Sequence, residues 1–190
     1  MICPSVKKKA LLFLMIVFLP ALSIPFLHAQ DFSDEYADLP RAFRNITLGM
    51  QLDELKNTLT GDDLFLFRGD RDVSYLPARE ESLVEIAGAS FLKRAFFQLR
   101  GGELFIMAYS LNTALVDHYS VFMAFVKKYG QPLTLDPKEA VWETDDTRIS
   151  IERPLTVKYI DKTIFNDILD ESRAKKADSI RAREDFLNEF

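Results

Sequence analysis

Segments with the apolar spacing of a helix alternate along the chain with segments that have the apolar spacing of a strand. Leu52, Leu55 and Leu59 recur at helical spacing and predict a short helix that opens near residue 50. Alternating positions then predict two strands, one at Phe65 and Phe67 and one at Val73 and Tyr75, with a turn at 68–70 between them, and another strand over 83–87. The clearest strands are 91–99 and 103–111, because the Gly-Gly between these aromatic-rich runs is typical of a β-hairpin.

The second half of the chain repeats this order. Residues 113–129 form the strongest helical pattern, whose apolar positions are Leu115, Tyr119, Phe122, Val126 and Tyr129. Gly130 and Pro132 end that helix. Strands are predicted over 140–144, 148–152 and 156–160, and another helix begins at Lys162.

Antiparallel strands separated by single helices predict an α+β fold, an antiparallel sheet packed against helices. The helix-then-sheet order occurs twice, which suggests a tandem duplication with a period of about 65 residues. We expect Trp142, the only tryptophan, to lie in the core of this domain.

The N-terminal segment has the order of a secretory signal peptide. Lysines at 7–9 precede an uncharged run over 10–27, and Ala29 offers a small residue for cleavage. The alternative is an uncleaved membrane anchor, but Pro20 and Pro25 interrupt the run and favour cleavage. We therefore expect an exported, periplasmic protein whose only membrane contact is this segment, if it is kept.

The predicted organisation has four parts. Residues 1–29 form the signal peptide, 30–45 a polar leader, 46–169 the α+β domain and 170–190 a charged helical extension. In the extension acids and bases are mixed, and Glu171–Lys175 and Asp178–Arg181 have the spacing of ion pairs along a helix.

Charge and composition exclude several classes of protein. The formal net charge of −5 disfavours a nucleic-acid binder, since affinity for phosphates comes mainly from Lys and Arg. A single cysteine excludes a disulfide framework and a multi-cysteine metal site. No cofactor is predicted.

No segment predicts a catalytic or metal site. His118 would lack a second ligand or triad member if the signal is cleaved, and is interpreted as a helix-flank residue. Gly-Ala-Ser at 88–90 lacks the second glycine of a nucleophile elbow. The acidic segments 70–72 and 145–146 lack the ligand spacing of a calcium loop and are interpreted as solvated turns.

Two groups of aromatic and aliphatic residues are candidates for partner binding. Phe96 and Phe97 are adjacent on a strand, so one of them must leave the face that packs on the helices. Either a second layer covers that residue or it forms an exposed contact site. Phe186, Leu187 and Phe190 form an apolar patch at the end of the charged extension, which either folds back or anchors a partner.

Two short motifs carry a resemblance to a known family. Leu-Gly-Met at 48–50 before a helix, and Lys-Tyr-Gly-Gln-Pro at 128–132 followed by a strand with Trp142, are similar to the small exported domains of the BamE/SmpA type. Two such units in tandem resemble the β-lactamase-inhibitor-protein architecture. The resemblance implies a helix layer on an antiparallel sheet and binding to proteins or envelope components.

The sequence therefore predicts a non-enzymatic, exported binding or scaffold protein of the bacterial cell envelope, with a protein partner. One alternative is a structural subunit of a larger envelope-associated machine. Another is a hydrolase that uses carboxylates such as Glu85, Glu103 or Glu143. The partner and the oligomeric state stay open.

Overall fold

The structure is a computed structural model that describes residues 38–190. The predicted signal peptide and most of the predicted leader lie outside these residues. Within this range the helices are α1 (Leu52–Thr60), α2 (His118–Tyr129) and α3 (Lys162–Leu187). The strands are β1 (Ala42–Phe43), β2 (Ile46–Thr47), β3 (Val73–Leu76), β4 (Glu81–Ala87), β5 (Leu92–Arg100), β6 (Glu103–Leu111), β7 (Thr134–Leu135), β8 (Glu139–Glu143), β9 (Thr147–Glu152) and β10 (Thr156–Asp161).

Eight of the strands form one antiparallel sheet in the order β3-β4-β5-β6-β10-β9-β8-β7. Both α1 and α2 are followed by a four-stranded meander, and the last strands of the two meanders, β6 and β10, pair at the centre. The predicted α+β class is confirmed. Strands β1 and β2 form a separate small hairpin. Phe65 makes only a single bridge, to Gly88, in place of the strand predicted there.

The hydrophobic core lies between one face of the sheet and the helices α1 and α2. A row of side chains crosses the six inner strands in register, and it consists of Val84, Phe97, Met107, Tyr159, Ile149 and Trp142. Leu55 and Leu59 of α1 are fully buried against this face, and Phe125 of α2 stacks on Trp142 with ring centroids 5.4 Å apart. This arrangement explains why one face of every inner strand is apolar.

Trp142 is fully buried, as the sequence predicts. Its indole Nε1 donates a hydrogen bond of 3.0 Å to the carbonyl oxygen of Gly130, the residue that ends α2. The buried N–H is therefore satisfied, and the tryptophan ties the end of α2 to the sheet.

The domain begins earlier than the sequence predicts. Leu39 is only 6% exposed, and the ring of Phe43 lies 4.3 Å from that of Tyr109 between centroids. Residues 39–45 therefore belong to the packed domain and not to a polar leader. Their few apolar side chains are hidden among polar neighbours in the sequence, but β1–β2 pairing places them against the sheet.

Helix α2 begins five residues later than predicted. The carboxylate of Asp117 accepts a hydrogen bond from the backbone N–H of Ser120 at 2.9 Å and caps the helix. Before it, the side chain of Asn112 accepts from the N–H of Ala114 at 3.1 Å and forms a separate turn. Leu115 consequently lies outside the helix and is exposed.

Helix α3 covers part of the opposite face of the sheet, here called the second face. Along β5, Phe97 points into the core and Phe96 points to the second face. Among residues 38–190, no helix is both long and apolar enough to cross a membrane.

Candidate functional site

Helix α3 is anchored at its first turn by a buried carboxylate. Asp161 accepts a hydrogen bond from the N–H of Ile164 at 3.1 Å and forms an ion pair with Arg41. The same guanidinium donates to the Thr147 hydroxyl and to the Asp146 carboxylate, each at 3.2 Å. The start of α3 is therefore fixed to both ends of the domain sequence.

The first three turns of α3 are docked on the domain. Ile164, Phe165 and Ile168 are half-buried, and the helix contacts β6 and β10. At the end of the docked part of α3, the guanidinium of Arg100 on β5 donates a hydrogen bond to the Glu171 carboxylate at 2.5 Å. This hydrogen bond lowers the pKa of the Glu171 carboxyl. Glu171 thus pairs with the sheet instead of with Lys175.

Beyond Glu171 the helix leaves the sheet. Every residue from 172 to 190, here called the α3 projection, is exposed. Asp178 and Arg181 form the predicted ion pair at 3.5 Å, which is open to solvent and adds little stability. A projecting helix without a core face has no intramolecular reason to carry large apolar side chains.

The end of the projection nevertheless carries such side chains. Phe186 is 57% exposed, Leu187 51% and Phe190 94%, and the two phenyl rings contact each other edge to face with centroids 5.2 Å apart. These three residues, here called the α3 tip, do not fold back onto the sheet. They remain the strongest candidates for partner binding.

The two candidate phenylalanines of β5 have different positions. Phe97 is fully buried in the core, with its ring 5.9 Å from those of Phe65 and Tyr109. It is therefore unavailable to a partner, which corrects its place among the candidates. Phe96 lies half-buried on the second face with the guanidinium of Arg94 6.0 Å from its ring centroid, and it stays a candidate.

A groove of about 460 Å³ lies between the start of α2 and the edge strand β7, here called the α2–β7 groove. Tyr119, Phe122, Leu135 and Ala140 form its apolar walls. Its polar lining consists of Asp117, His118, Asp136, Lys138, Glu139 and Arg153. This groove is not visible in the sequence, because its walls come from segments that are distant along the chain. The one local signal is the Asp-x-x-Ser capping pattern at 117–120, which marks where α2 begins.

His118 is the first residue of α2 and lines this groove. Burial of its ring, together with the positive charge of Arg153, lowers the pKa of the imidazole, and Asp117 opposes this effect. Its Nε2 is buried and has no hydrogen-bond partner among the described residues. The buried ring therefore takes up a proton less readily than a free histidine, and residues 38–190 contain no second histidine and no cysteine that could share a metal with it.

The carboxylates considered for a hydrolase are dispersed. Glu85 on β4 is paired with Arg94 at 2.7 Å, and Glu143 on β8 is paired with Lys162 at 2.7 Å. Five strand spacings separate β4 from β8, which amounts to about 24 Å. Glu103 is exposed at the β5–β6 hairpin. The fold therefore does not bring these groups together around one reacting atom.

In each of the two acidic segments, 70–72 and 145–146, one carboxylate forms an ion pair with an arginine. Asp72 is buried and bound by Arg68 at 2.5 Å, and although burial acts to raise the pKa of Asp72, the Arg68 hydrogen bonds lower it overall. Asp146 is bound by Arg41. In the described part of the chain, no group of three His, Cys, Asp or Glu residues is arranged to hold a metal ion.

The fold and these surfaces define a class of protein: a tandem helix-and-meander α+β domain with a projecting C-terminal helix. The model of the TP0088 domain family matches residues 41–171, and the chain belongs to that family. The matched segment begins at Arg41 and ends at Glu171, the two residues whose ion pairs fix the start of α3 and its last docked turn. No curated protein and no solved structure matches the chain.

Proposed function

We propose that this protein is an exported, non-enzymatic protein-binding domain of the bacterial cell envelope, and that the α3 projection is its partner-binding element. The observation that carries the proposal is the α3 tip, a cluster of large apolar side chains displayed at the end of a solvent-exposed helix. The sixteen helical residues 172–187, at 1.5 Å per residue, place the end of the helix about 24 Å beyond the last docked turn. A helix-in-groove contact uses this geometry.

The absence of a shared reaction centre for the candidate carboxylates supports a non-enzymatic role. Glu85 and Glu143 are each neutralised by a basic neighbour and lie on strands at opposite ends of the sheet. Two carboxylates that share acid and base work in hydrolysis lie within about 10 Å of each other.

Two features support export to the envelope. The first is the basic and then apolar order of residues 7–27. The second is the tandem helix-and-meander topology, which supports the resemblance to exported domains of the BamE/SmpA type and to the β-lactamase-inhibitor-protein architecture. The same features agree with the alternative role of a structural subunit in a larger envelope machine, because such a subunit also needs an exposed binding helix.

The test is deletion of residues 174–190 from the full-length protein in its native cells. The domain is expected to keep its melting temperature within a few degrees, because the deleted residues are all exposed, and to lose its native complex in cross-linking and size-exclusion experiments. Triple substitution of the tip, Phe186→Asp with Leu187→Asp and Phe190→Asp, should have the same effect.

Leu135→Asp is the matched control, because Leu135 is as exposed as the tip residues but lies in the α2–β7 groove. It should leave the complex intact. If the deletion preserves every interaction, or if Leu135→Asp alone removes the complex, α3 is not the binding element.

A further inference from the structure

The charges of the α3 projection are segregated around the helix axis, although they are mixed along the sequence. Successive residues of an α-helix are rotated by about 100°, so each side chain of the continuous helix can be assigned to a side. One side contains the tip together with Lys175, Lys176 and Arg183. The other side contains Asp178, Glu184 and Asp185, together with Arg181. Arg173 lies at the boundary and is bonded to Asp170 at 3.0 Å.

On the tip side the basic residues stand in line with the apolar ones. Leu169, Lys176 and Arg183 are separated by seven residues each, so they form one row along the helix, and Phe190 follows just beyond its last turn. Ile180 and Leu187 form a parallel row next to it, also seven residues apart. The side of the α3 projection that carries the tip is therefore apolar at its C-terminal end, and Lys176 and Arg183 make it basic before that end.

We infer that the partner of the α3 projection is a protein with an apolar groove or helix face that carries carboxylates opposite Lys176 and Arg183. This inference rests on the proposed function, since it specifies the partner of the same helix. A partner that covers this side of the helix from Lys176 to the tip buries Lys176 and Arg183 as well, and a buried cation without a partner is costly. Carboxylates at matching positions remove that cost and fix the register of the helix against its partner.

The arrangement argues against an anionic membrane surface. A helix that lies in a bilayer interface keeps the centre of its buried face apolar and places Lys and Arg at the flanks, where they reach the headgroups. Here Lys176 and Arg183 lie in the middle of the face, in the same row as Leu169 and next to the row of Ile180 and Leu187.

A second copy of this chain is also a poor occupant. In a parallel pair of α3 helices, Lys176 and Arg183 would each face the same residue of the other copy. The basic side of one helix could instead contact the acidic side of a second copy. Between residues 172 and 190 that acidic side carries no apolar residue larger than alanine, so it would leave the tip uncovered. The complementary partner is therefore a different protein.

The experiment combines charge reversal with site-specific photo-cross-linking of the full-length protein in its native cells. A photoreactive amino acid at Ser179, a small and exposed residue on the basic side, should capture a segment whose apolar residues alternate with Asp or Glu at helical spacing. Lys176→Glu with Arg183→Glu should lower the yield of this cross-link at least about ten-fold. The matched variant Asp178→Lys with Asp185→Lys, on the other side of the same turns, should change it less than about two-fold.

The possible failures are distinguishable. If deletion of residues 174–190 removes the complex but the Lys176 and Arg183 reversals do not, the proposed function stands and the acidic partner is overturned. If the captured segment lacks carboxylates, or is a second copy of this chain, the inference is also overturned. Binding of the protein to phosphatidylglycerol vesicles that is lost on charge reversal, without a cross-linked protein, would instead assign the face to a membrane. A deletion without any effect would refute the proposed function itself.

Discussion

Arg41 and Asp161 are 120 residues apart in sequence and form a single ion pair at the point where the sheet ends and α3 begins. Asp161 is buried, and its other carboxylate oxygen caps α3. The Asp161 side chain thus connects the segment around Arg41, the last strand and the projecting helix. The direction of α3 depends on this junction.

Asp161→Ala is expected to lower the free energy of unfolding by about 1–3 kcal/mol, because it removes a helix cap and leaves Arg41 without its buried partner. Asp161→Asn keeps a capping oxygen and should cost less. Urea denaturation measures both values. The control is Asp178→Ala, which breaks an exposed pair and should cost no more than about 0.5 kcal/mol. Equal effects of Asp161→Ala and Asp178→Ala would contradict a role for the junction.

Trp142 should show the blue-shifted fluorescence of a buried indole, and the emission should move to longer wavelength on unfolding. Trp142→Ala is expected to cost about 3–5 kcal/mol, since it opens a cavity where Phe122 and Phe125 meet the sheet. Tyr119→Ala, a truncation of an exposed aromatic residue of α2, should cost less than about 1 kcal/mol. Emission typical of free indole in the folded protein would refute the burial.

Gly88→Ala is expected to destabilise the domain by about 1–3 kcal/mol or more, because the new methyl group would lie 2.4 Å from Cγ and 2.6 Å from the carbonyl oxygen of buried Leu92. Gly61→Ala is the control, since the nearest atoms to its new methyl group are 3.8 Å away. Its effect should stay near zero. Thermal unfolding compares the two variants, and similar melting temperatures would show that Leu92 moves freely.

The pH dependence of stability should contain a contribution from His118. Burial and the charge of Arg153 lower its pKa in the folded protein below the ordinary value of 6.5, so the unfolded chain takes up a proton more readily. The free energy of unfolding should therefore fall as the pH drops below about 6.5 and through the lower folded pKa. His118→Asn should flatten this slope in urea titrations between pH 7.5 and pH 5. If His118→Asn leaves the pH dependence of the unfolding free energy unchanged, that dependence arises from the carboxylates and not from His118.

Hydrogen exchange should divide α3 at Glu171. Amides of residues 165–171 are expected to exchange slowly, because this part is docked on β6 and β10, and amides of residues 174–188 should exchange close to the rate of a free helix. Mass spectrometry of peptic fragments resolves the two parts. Equal protection across Glu171 would mean that the projection is covered in the free protein.

The sequence predicts those parts of the fold whose signal is local. Six strands, from β4 to β6 and from β8 to β10, follow the predicted positions within two residues, because alternation and the Gly101-Gly102 turn are properties of neighbouring residues. Local spacing places the start of α2 too early, because Leu115 continues the helical pattern although the helix begins only after the Asp117 cap.

The other features of the fold depend on residues that are far apart in the sequence. The pairing of β6 with β10 and the contact of Phe43 with Tyr109 join segments whose partners cannot be inferred from local spacing. The α3 tip can be read from the sequence as an apolar patch, since its three residues are close together along the chain. The charge segregation behind it emerges only when the helix is continuous through residue 187, because in the linear chain acids and bases are mixed.

The position of β10 has a consequence for the order in which the protein is made. It is the last strand in the chain, yet it occupies the centre of the sheet between β6 and β9. As the chain becomes available for folding from its N-terminus, during synthesis or export, β6 remains an open edge until residues 156–161 have followed, and open edges invite pairing with other chains. A chain that stops before these residues therefore yields two unfinished sheets in place of one smaller stable domain.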